Sequence, residues 1–164
     1  MSSYRRLCVF CGSSRGNRPA YEARAMELGR ELARRKIGLV YGGGNIGLMG
    51  ALADQVLVDG GEVTGVIPYG LVVREVAHAR LTKQHVVRSM HERKALMAEL
   101  SDAFVALPGG FGTFEEVLEI TTWAQLGMHK KPVVVLDVED YYAPLFALLD
   151  HGVREGFVKR ENRE

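Results

Sequence analysis

Three glycines fall within four residues at Gly109-Gly110-Phe111-Gly112, just after the apolar run Ala103–Leu107 and just before a stretch with helical spacing. Glycine lets a backbone approach a ligand closely and leaves its amides open. A helix start adds unpaired N–H groups and partial positive charge. Strand, glycine turn and helix start together make an anion site suited to a phosphate. Thr113 would cap that helix or give its hydroxyl to the phosphate. An ordinary strand–helix turn is the plainer alternative, but three glycines are more than it needs. Glu115 and Glu116 then fall in the expected first turn of the helix, where negative charge is favourable by about 0.3–1 kcal/mol. Glu116, three residues past Thr113, shares its face. A carboxylate beside a phosphate cradle can support positive charge developing on a sugar. Glu119, a further turn along, reads as solvated.

A second segment is Ser89-Met90-His91-Glu92-Arg93-Lys94. Ser89 and Glu92 have capping-box spacing: the serine accepts from the third helical amide and the glutamate reaches back to the cap. Arg93 and Lys94 therefore sit near a helix start, where cations oppose the dipole. A local misfit of that kind favours a functional role over a solvated surface pair. His91 reads as a surface residue.

A third, Gly42-Gly43-Gly44-Asn45-Ile46-Gly47, matches G-x-G-x-x-G, a weak signal alone. A dinucleotide site also needs an acid at the end of the next strand, and Glu62 falls at its start. No nicotinamide or flavin cofactor is expected; a second close-approach loop lining the same pocket is. There is no G-x-x-x-x-G-K-[ST], no metal-spaced His/Cys cluster and no G-x-S-x-G elbow. Cys8 and Cys11 lie in an apolar run, three apart, so on a strand they point to opposite faces as buried free thiols.

These segments need a scaffold. Apolar runs at Leu7–Cys11, Ile37–Tyr41, Glu62–Ile67, Gln84–Arg88, Ala103–Leu107 and Pro132–Asp137 read as strands. Helical spacing follows Pro19 (Tyr21, Ala25, Leu28, Leu32), with the basic Arg34-Arg35-Lys36 at its end, and recurs over Ile46–Val58, Ser89–Leu100, Thr113–Leu126 and Tyr142–Glu155. Tyr69–Lys83 reads as a loop with at most a helical turn. Strands that are apolar on both faces and alternate with helices predict an α/β fold, a doubly wound, Rossmann-like parallel sheet flanked by helices. The 164 residues fit a single domain. The charged tail from Lys159 to Glu164 is expected to fray.

A formal net charge of +1 provides no overall field to attract nucleic acid or a membrane surface. After Met1-Ser-Ser-Tyr-Arg-Arg comes a short strand rather than a signal-peptide core. No apolar run approaches the roughly 18 residues of a membrane span. A cytoplasmic location is the expectation.

The segments 89–95 (SMHERKA), 101–116 (SDAFVALPGGFGTFEE) and 121–127 (TTWAQLG) resemble the LONELY GUY (LOG) family of cytokinin riboside 5′-monophosphate phosphoribohydrolases, many once labelled lysine decarboxylases. The Cys-Gly-Ser-Ser and Gly-Gly-Gly-Asn-Ile-Gly-Leu-Met-Gly segments fit as well. The resemblance covers nearly the whole chain, and P-G-G-x-G-T-x-x-E with an upstream Arg-Lys pair is specific. Family chains usually run on past the counterpart of Phe157-Val158, whereas this one stops six residues later.

The resemblance implies cleavage of the N-glycosidic bond of an N6-modified AMP, releasing free base and ribose 5-phosphate. It also implies a homodimer. It puts Arg93 and Glu116 in catalytic places. Lys94, Gly109, Gly110, Phe111, Gly112, Thr113 and Glu115 take substrate-binding places, with Glu75 and Thr121 as further binding positions. No metal and no cofactor is expected. Glu116 would either stabilise the positive sugar or deprotonate the attacking water, Arg93 would stabilise the departing base, and Lys94 would add charge for the phosphate. Met49, Met90, Met97 and Trp123 could line a pocket for the base substituent. The rival is a non-catalytic nucleotide-binding or carrier module of the same fold. An amino-acid decarboxylase has no pyridoxal-type context in this sequence.

Overall fold

The computed structural model describes residues 4–163; Met1–Ser3 of the chain start and Glu164 of the tail lie outside the described residues. Six strands form one parallel sheet: β1 (Arg6–Phe10), β2 (Gly38–Tyr41), β3 (Val63–Pro68), β4 (Lys83–Val87), β5 (Ala103–Ala106) and β6 (Val133–Val135). Their order is β4-β3-β2-β1-β5-β6, parallel at every pairing. Among the described residues α1 (Pro19–Arg34), α2 (Gly47–Val58), α3 (Met90–Leu100) and α4 (Phe111–Gln125) connect strands, a 3-10 turn at Tyr69–Leu71 lies between β3 and β4, and α5 (Ala143–Arg154) follows β6. This is the doubly wound, Rossmann-like arrangement that the sequence predicts.

The sheet separates two cores. On one face Ala25 and Leu32 of α1 and Leu48, Leu52 and Val56 of α2 pack on Val9, Leu39, Tyr41 and Val63. On the other, Met97 of α3, Val117 and Ile120 of α4 and partly buried Leu145 and Phe146 of α5 pack on Cys8, Phe10, Val40, Val66 and Phe104. Residues alternate between the two along β1, as a period of two requires. Cys8 and Cys11 thus fall on opposite faces, both buried and free. Burial pushes both thiols above their ordinary pKa, and the charge of Glu116 adds to it. They are packing groups rather than nucleophiles.

Three local expectations change. The α4 helix starts at Phe111, with Gly110 as its cap and no side-chain cap bond. Thr113 is therefore the third helical residue, and Glu115 and Glu116 belong to the second turn. In the capping box, Ser89 Oγ accepts from the Glu92 amide at 3.1 Å, but Glu92 Oε2 accepts from Arg88 N at 2.8 Å, one residue before the cap. The tail does not fray within the described residues. Arg160–Asn162 forms a 3-10 turn, and Arg163 reaches Asp150 at 2.7 Å and stacks its cation 5.3 Å from the Phe146 ring. A charge with both a carboxylate and an aromatic face as partners has reason to dock.

Candidate functional site

The strand order reverses direction between β1 and β5, and loops leaving two such neighbours diverge to opposite faces and open a crevice. A cleft of about 180 Å³ lies there. The β1 loop lines it with Gly12 and Ser13, and the start of α4 lines it with Gly110, Phe111, Gly112 and Thr113. Glu116, Arg93 and Glu75 complete its polar wall, and Met49, Met90 and Met97 its apolar one.

Each loop is anchored by internal bonds. Gly12 N donates to Pro108 O at 3.0 Å, joining the β1 loop to the glycine turn. Leu48 N donates to Gly12 O at 3.0 Å, so a backbone carbonyl serves the first turn of α2 in place of a capping side chain. Tyrosines hold loop carbonyls: the buried Tyr142 OH donates to Leu107 O at 2.6 Å and the buried Tyr41 OH to Gly44 O at 2.8 Å, and the half-buried Tyr141 OH donates to Gly109 O.

The three glycines of the 108–113 loop have different jobs. A Cβ on Gly109 would stand 2.0 Å from Thr113 Oγ1 and 2.9 Å from Gly12 N, so this position is glycine for close packing. Gly110 and Gly112 face open space. The first amide of α4 to find an intrahelical acceptor is that of Phe114, on Gly110 O at 3.0 Å. The amides of Phe111, Gly112 and Thr113 precede it in the first turn, where a helix leaves its N–H groups without intrahelical acceptors. Together they give the cleft one end whose geometry suits an anion. Thr113 is buried, while Phe111, 91% exposed, stands at the rim.

Arg93 is 3% exposed and held like a plate. Its Nε donates to Val66 O at 3.0 Å, and its Nη2 donates to Gly42 O at 2.6 Å and to Glu75 Oε2 at 2.9 Å. Nη1 approaches only the Met90 sulfur, a weak acceptor, at 3.9 Å among the described residues, which leaves it donor capacity. An arginine in the first turn of α3 is thus explained by the site and not by the dipole. Glu116 faces the same cleft. Burial pushes its carboxyl from the usual range up to about 7; the Arg93 charge pulls it back, and Glu115 and Glu75 push it further up. A carboxylate tuned near neutrality in a crevice, beside a fixed cation, marks a functional centre.

Of the residues singled out from sequence, Glu75, Arg93, Gly110, Phe111, Gly112, Thr113 and Glu116 meet in the cleft. Gly109 lines an adjoining cavity with Ser14, Tyr21 and Tyr141. Lys94, Glu115 and Thr121 do not line the cleft. Lys94 Nζ is held by Glu115 and, at 2.5 Å, by Glu119. Burial works to lower its pKa, but the two carboxylates outweigh burial and hold it above the ordinary lysine value. Lys94, expected to add charge for the phosphate, stands outside the cleft lining and is paired with two carboxylates of α4. Glu119 is correspondingly no solvated residue. Thr121 bonds back to Val117 O at 2.7 Å within its own helix. Trp123 likewise lies away from the methionine wall.

Sequence reasoning missed Gly12 and Ser13 as lining residues. Their signal is positional: a turn directly after the first strand becomes informative only once β1 is known to neighbour β5. The Gly42–Gly47 loop lines the cleft only at Gly42. Its other glycines serve packing, since a Cβ on Gly47 would stand 2.2 Å from the Ser13 carbonyl carbon.

Fold and cleft together define a Rossmann-like α/β protein in which open helix-start amides and a half-buried, near-neutral carboxylate line one cleft. The family described as "Possible lysine decarboxylase" matches residues 49–164. The chain is 55% identical over 159 residues to a probable cytokinin riboside 5′-monophosphate phosphoribohydrolase, LOGL1, of Oryza sativa subsp. japonica, covering 97% of this chain and 71% of that protein. It is 54% identical to LOG1 of Arabidopsis thaliana, named cytokinin riboside 5′-monophosphate phosphoribohydrolase, covering 96% and 74%. Among solved structures, the Moco carrier protein from Chlamydomonas reinhardtii has a TM-score of 0.69 at 25% identity, covering 90% of this chain and 85% of that one. The molybdenum cofactor binding protein from Rippkaea orientalis shares the fold with a TM-score of 0.69 at 22% identity, covering 92% and 87%. The chain belongs to the LOG family of phosphoribohydrolases.

Proposed function

We propose that this protein hydrolyses the N-glycosidic bond of an adenosine 5′-monophosphate, N6-modified or plain, releasing the free base and ribose 5-phosphate. The observation that carries this reading is Glu116, half-buried in the cleft that Arg93 also lines, with its carboxyl raised to about 7, one turn inside the helix whose open amides suit a phosphate. The amides of Phe111, Gly112 and Thr113 hold the 5′-phosphate, away from the reacting carbon. Remote binding energy of that kind positions the sugar. The ionised Glu116 stabilises the oxocarbenium-like C1′ or takes the proton of the attacking water. Arg93, fixed through Nε and Nη2, turns Nη1 to the electron-rich leaving base, and Glu75 holds Arg93 in place. Met49, Met90 and Met97 supply an adaptable apolar wall for the base. Lys94 and Glu115 tie α3 to α4.

A homodimer belongs to this reading. Leu118 and Leu126 on and just past α4, with Met128 beyond, are exposed apolar residues suited to a second copy. The free thiols Cys8 and Cys11 suit a reducing compartment such as the cytoplasm. No helix among the described residues is long and apolar enough to cross a membrane.

The test is product analysis with AMP and isopentenyl-AMP side by side, on wild type and Glu116→Gln. Wild type is expected to release free base and ribose 5-phosphate. Glu116→Gln should bind AMP but lose turnover by orders of magnitude. The likeness to the Moco carrier protein supports a second reading, a carrier that binds without cleaving. Wild type that binds AMP and releases no base would establish that reading in place of the first.

A further inference from the structure

We infer that His78, through Asp54, is a positioning residue that bolts the segment carrying Glu75 in place and so keeps Glu75 on Arg93; the inference rests on the role given to Arg93 above. Glu75 lies on a stretch between the 3-10 turn Tyr69–Leu71 and β4 that forms no helix or strand of its own. Its attachments run to the loop after β2. Asn45 N donates to Glu75 O at 3.1 Å and to Val76 O at 2.8 Å, Gly44 and Ala77 form an isolated bridge, and His78 N donates to Gly43 O at 3.0 Å.

The segment is also strained. Val76 has φ +49°, in the left-handed region that a β-branched residue occupies only when its surroundings force it there. That twist lets the Glu75 and Val76 carbonyls converge on one amide while the Glu75 carboxylate reaches Arg93. A strained stretch held by one isolated bridge needs something more to over-determine it.

His78 has that place. It is 2% exposed between flanking residues that are not buried. The Arg80 amide donates to its Nδ1 at 3.1 Å, so the ring proton is on Nε2, which donates to Asp54 Oδ1 at 3.1 Å. Asp54 belongs to α2 and also accepts from Arg80 Nη2 at 3.0 Å. The imidazole therefore ties the end of the segment to the helix beneath it. Neither His78 nor Asp54 lines the cleft. An effect on the reaction is therefore indirect, and the side-chain contact that leads from this segment to the cleft is that of Glu75 with Arg93.

The experiment is a double-mutant cycle of His78→Ala and Glu75→Gln, read as kcat and KM with AMP, together with amide hydrogen exchange at Asn45. In His78→Ala, kcat is expected to fall at least tenfold with KM within about threefold, and the Asn45 amide to exchange at least tenfold faster while the core strands keep their protection. On the Glu75→Gln background His78→Ala should cost nothing further, because both act through one contact. Asp54→Ala, at a partly exposed site, should reproduce His78→Ala should the latter fold poorly. Asp54→Asn keeps an acceptor for Nε2 and should restore kcat. Additive losses in the cycle, or unchanged kcat with unchanged Asn45 exchange, would overturn the inference. Wild type that releases no base would remove the proposed function alone. The exchange at Asn45 would then decide the bolt, with unchanged protection in both single variants overturning it.

Discussion

A methyl group on Gly42 would stand 2.1 Å from Arg93 Nη2, far inside contact distance. The same nitrogen donates to the Gly42 carbonyl at 2.6 Å. The guanidinium cannot swing aside, because Val66 O holds Nε, Glu75 Oε2 shares Nη2 with the Gly42 carbonyl, and the group is buried. Gly42→Ala should therefore displace the arginine from the cleft. The expected outcome is a loss of kcat/KM with AMP of about a hundredfold or more, and an overpacking cost of about 1–3 kcal/mol in urea denaturation. Full activity in this variant would mean that the reaction does not need Arg93 where it stands.

Glu116 makes the fold depend on pH in an unusual direction. Its folded pKa, about 7, lies above the ordinary value of 4.5 expected in the unfolded chain, chiefly because of burial. Between these values the folded state binds the extra proton, so stability falls as pH rises. The protonated carboxyl costs nothing extra below pH 4.5, and the penalty is complete above 7. The difference corresponds to about 3 kcal/mol. Glu116→Gln, which cannot ionise, should be more stable than wild type by up to about that amount at pH 8, with the gain fading toward pH 4.5. Melting curves of both proteins across this range check it. A gain independent of pH would mean that the glutamate does not titrate as a buried acid.

The fold was legible because its signals are local. Apolar runs closed by glycine turns, the Pro19 helix start and the Ser89 cap each act over a few residues, and each recurs in the structure within a residue or two. The cleft was legible where one segment carries the chemistry, as from Gly110 to Glu116. It was not legible where function depends on long-range pairing. Nothing near Lys94 in sequence says that Glu115 and Glu119 will take its charge, since α3 and α4 meet only after β5 is inserted beside β1. Ser13 is likewise silent until strand order places it opposite the glycine turn. The role of Thr113 shifted for a smaller reason. Gly110 can cap a helix without a side chain, so the helix begins earlier than a threonine cap would suggest.

The glycine turn and Lys94 make opposite predictions about phosphate. Gly112 lies in the first turn of α4 with open space at its Cβ position. Alanine there should favour the helix by roughly 0.5–1 kcal/mol while standing where the phosphate must approach. Gly112→Ala should therefore melt higher than wild type yet raise KM for AMP at least tenfold. Lys94→Met should leave KM within about threefold, since its ammonium already belongs to Glu115 and Glu119. Steady-state kinetics on both variants, with inorganic phosphate as a competitor, separates the two. A large KM effect from Lys94→Met alone would move the phosphate away from the α4 start.

The pH dependence of turnover follows from the same carboxyl. As stabiliser of a positive sugar or as base toward water, Glu116 must be ionised. The kcat/KM for AMP should then rise about tenfold per unit below pH 7 and level off above it, because this parameter reports the free enzyme. A bound nucleotide shields the glutamate from water and adds negative phosphate charge within the same cleft, and both make ionisation harder. The rising limb of kcat, which reports the complex, should accordingly lie at higher pH than that of kcat/KM. Full pH profiles of both parameters check this, with Glu116→Gln expected to lose the limb entirely. A kcat/KM that falls through pH 7 would instead require a protonated Glu116, acting as an acid toward the leaving base.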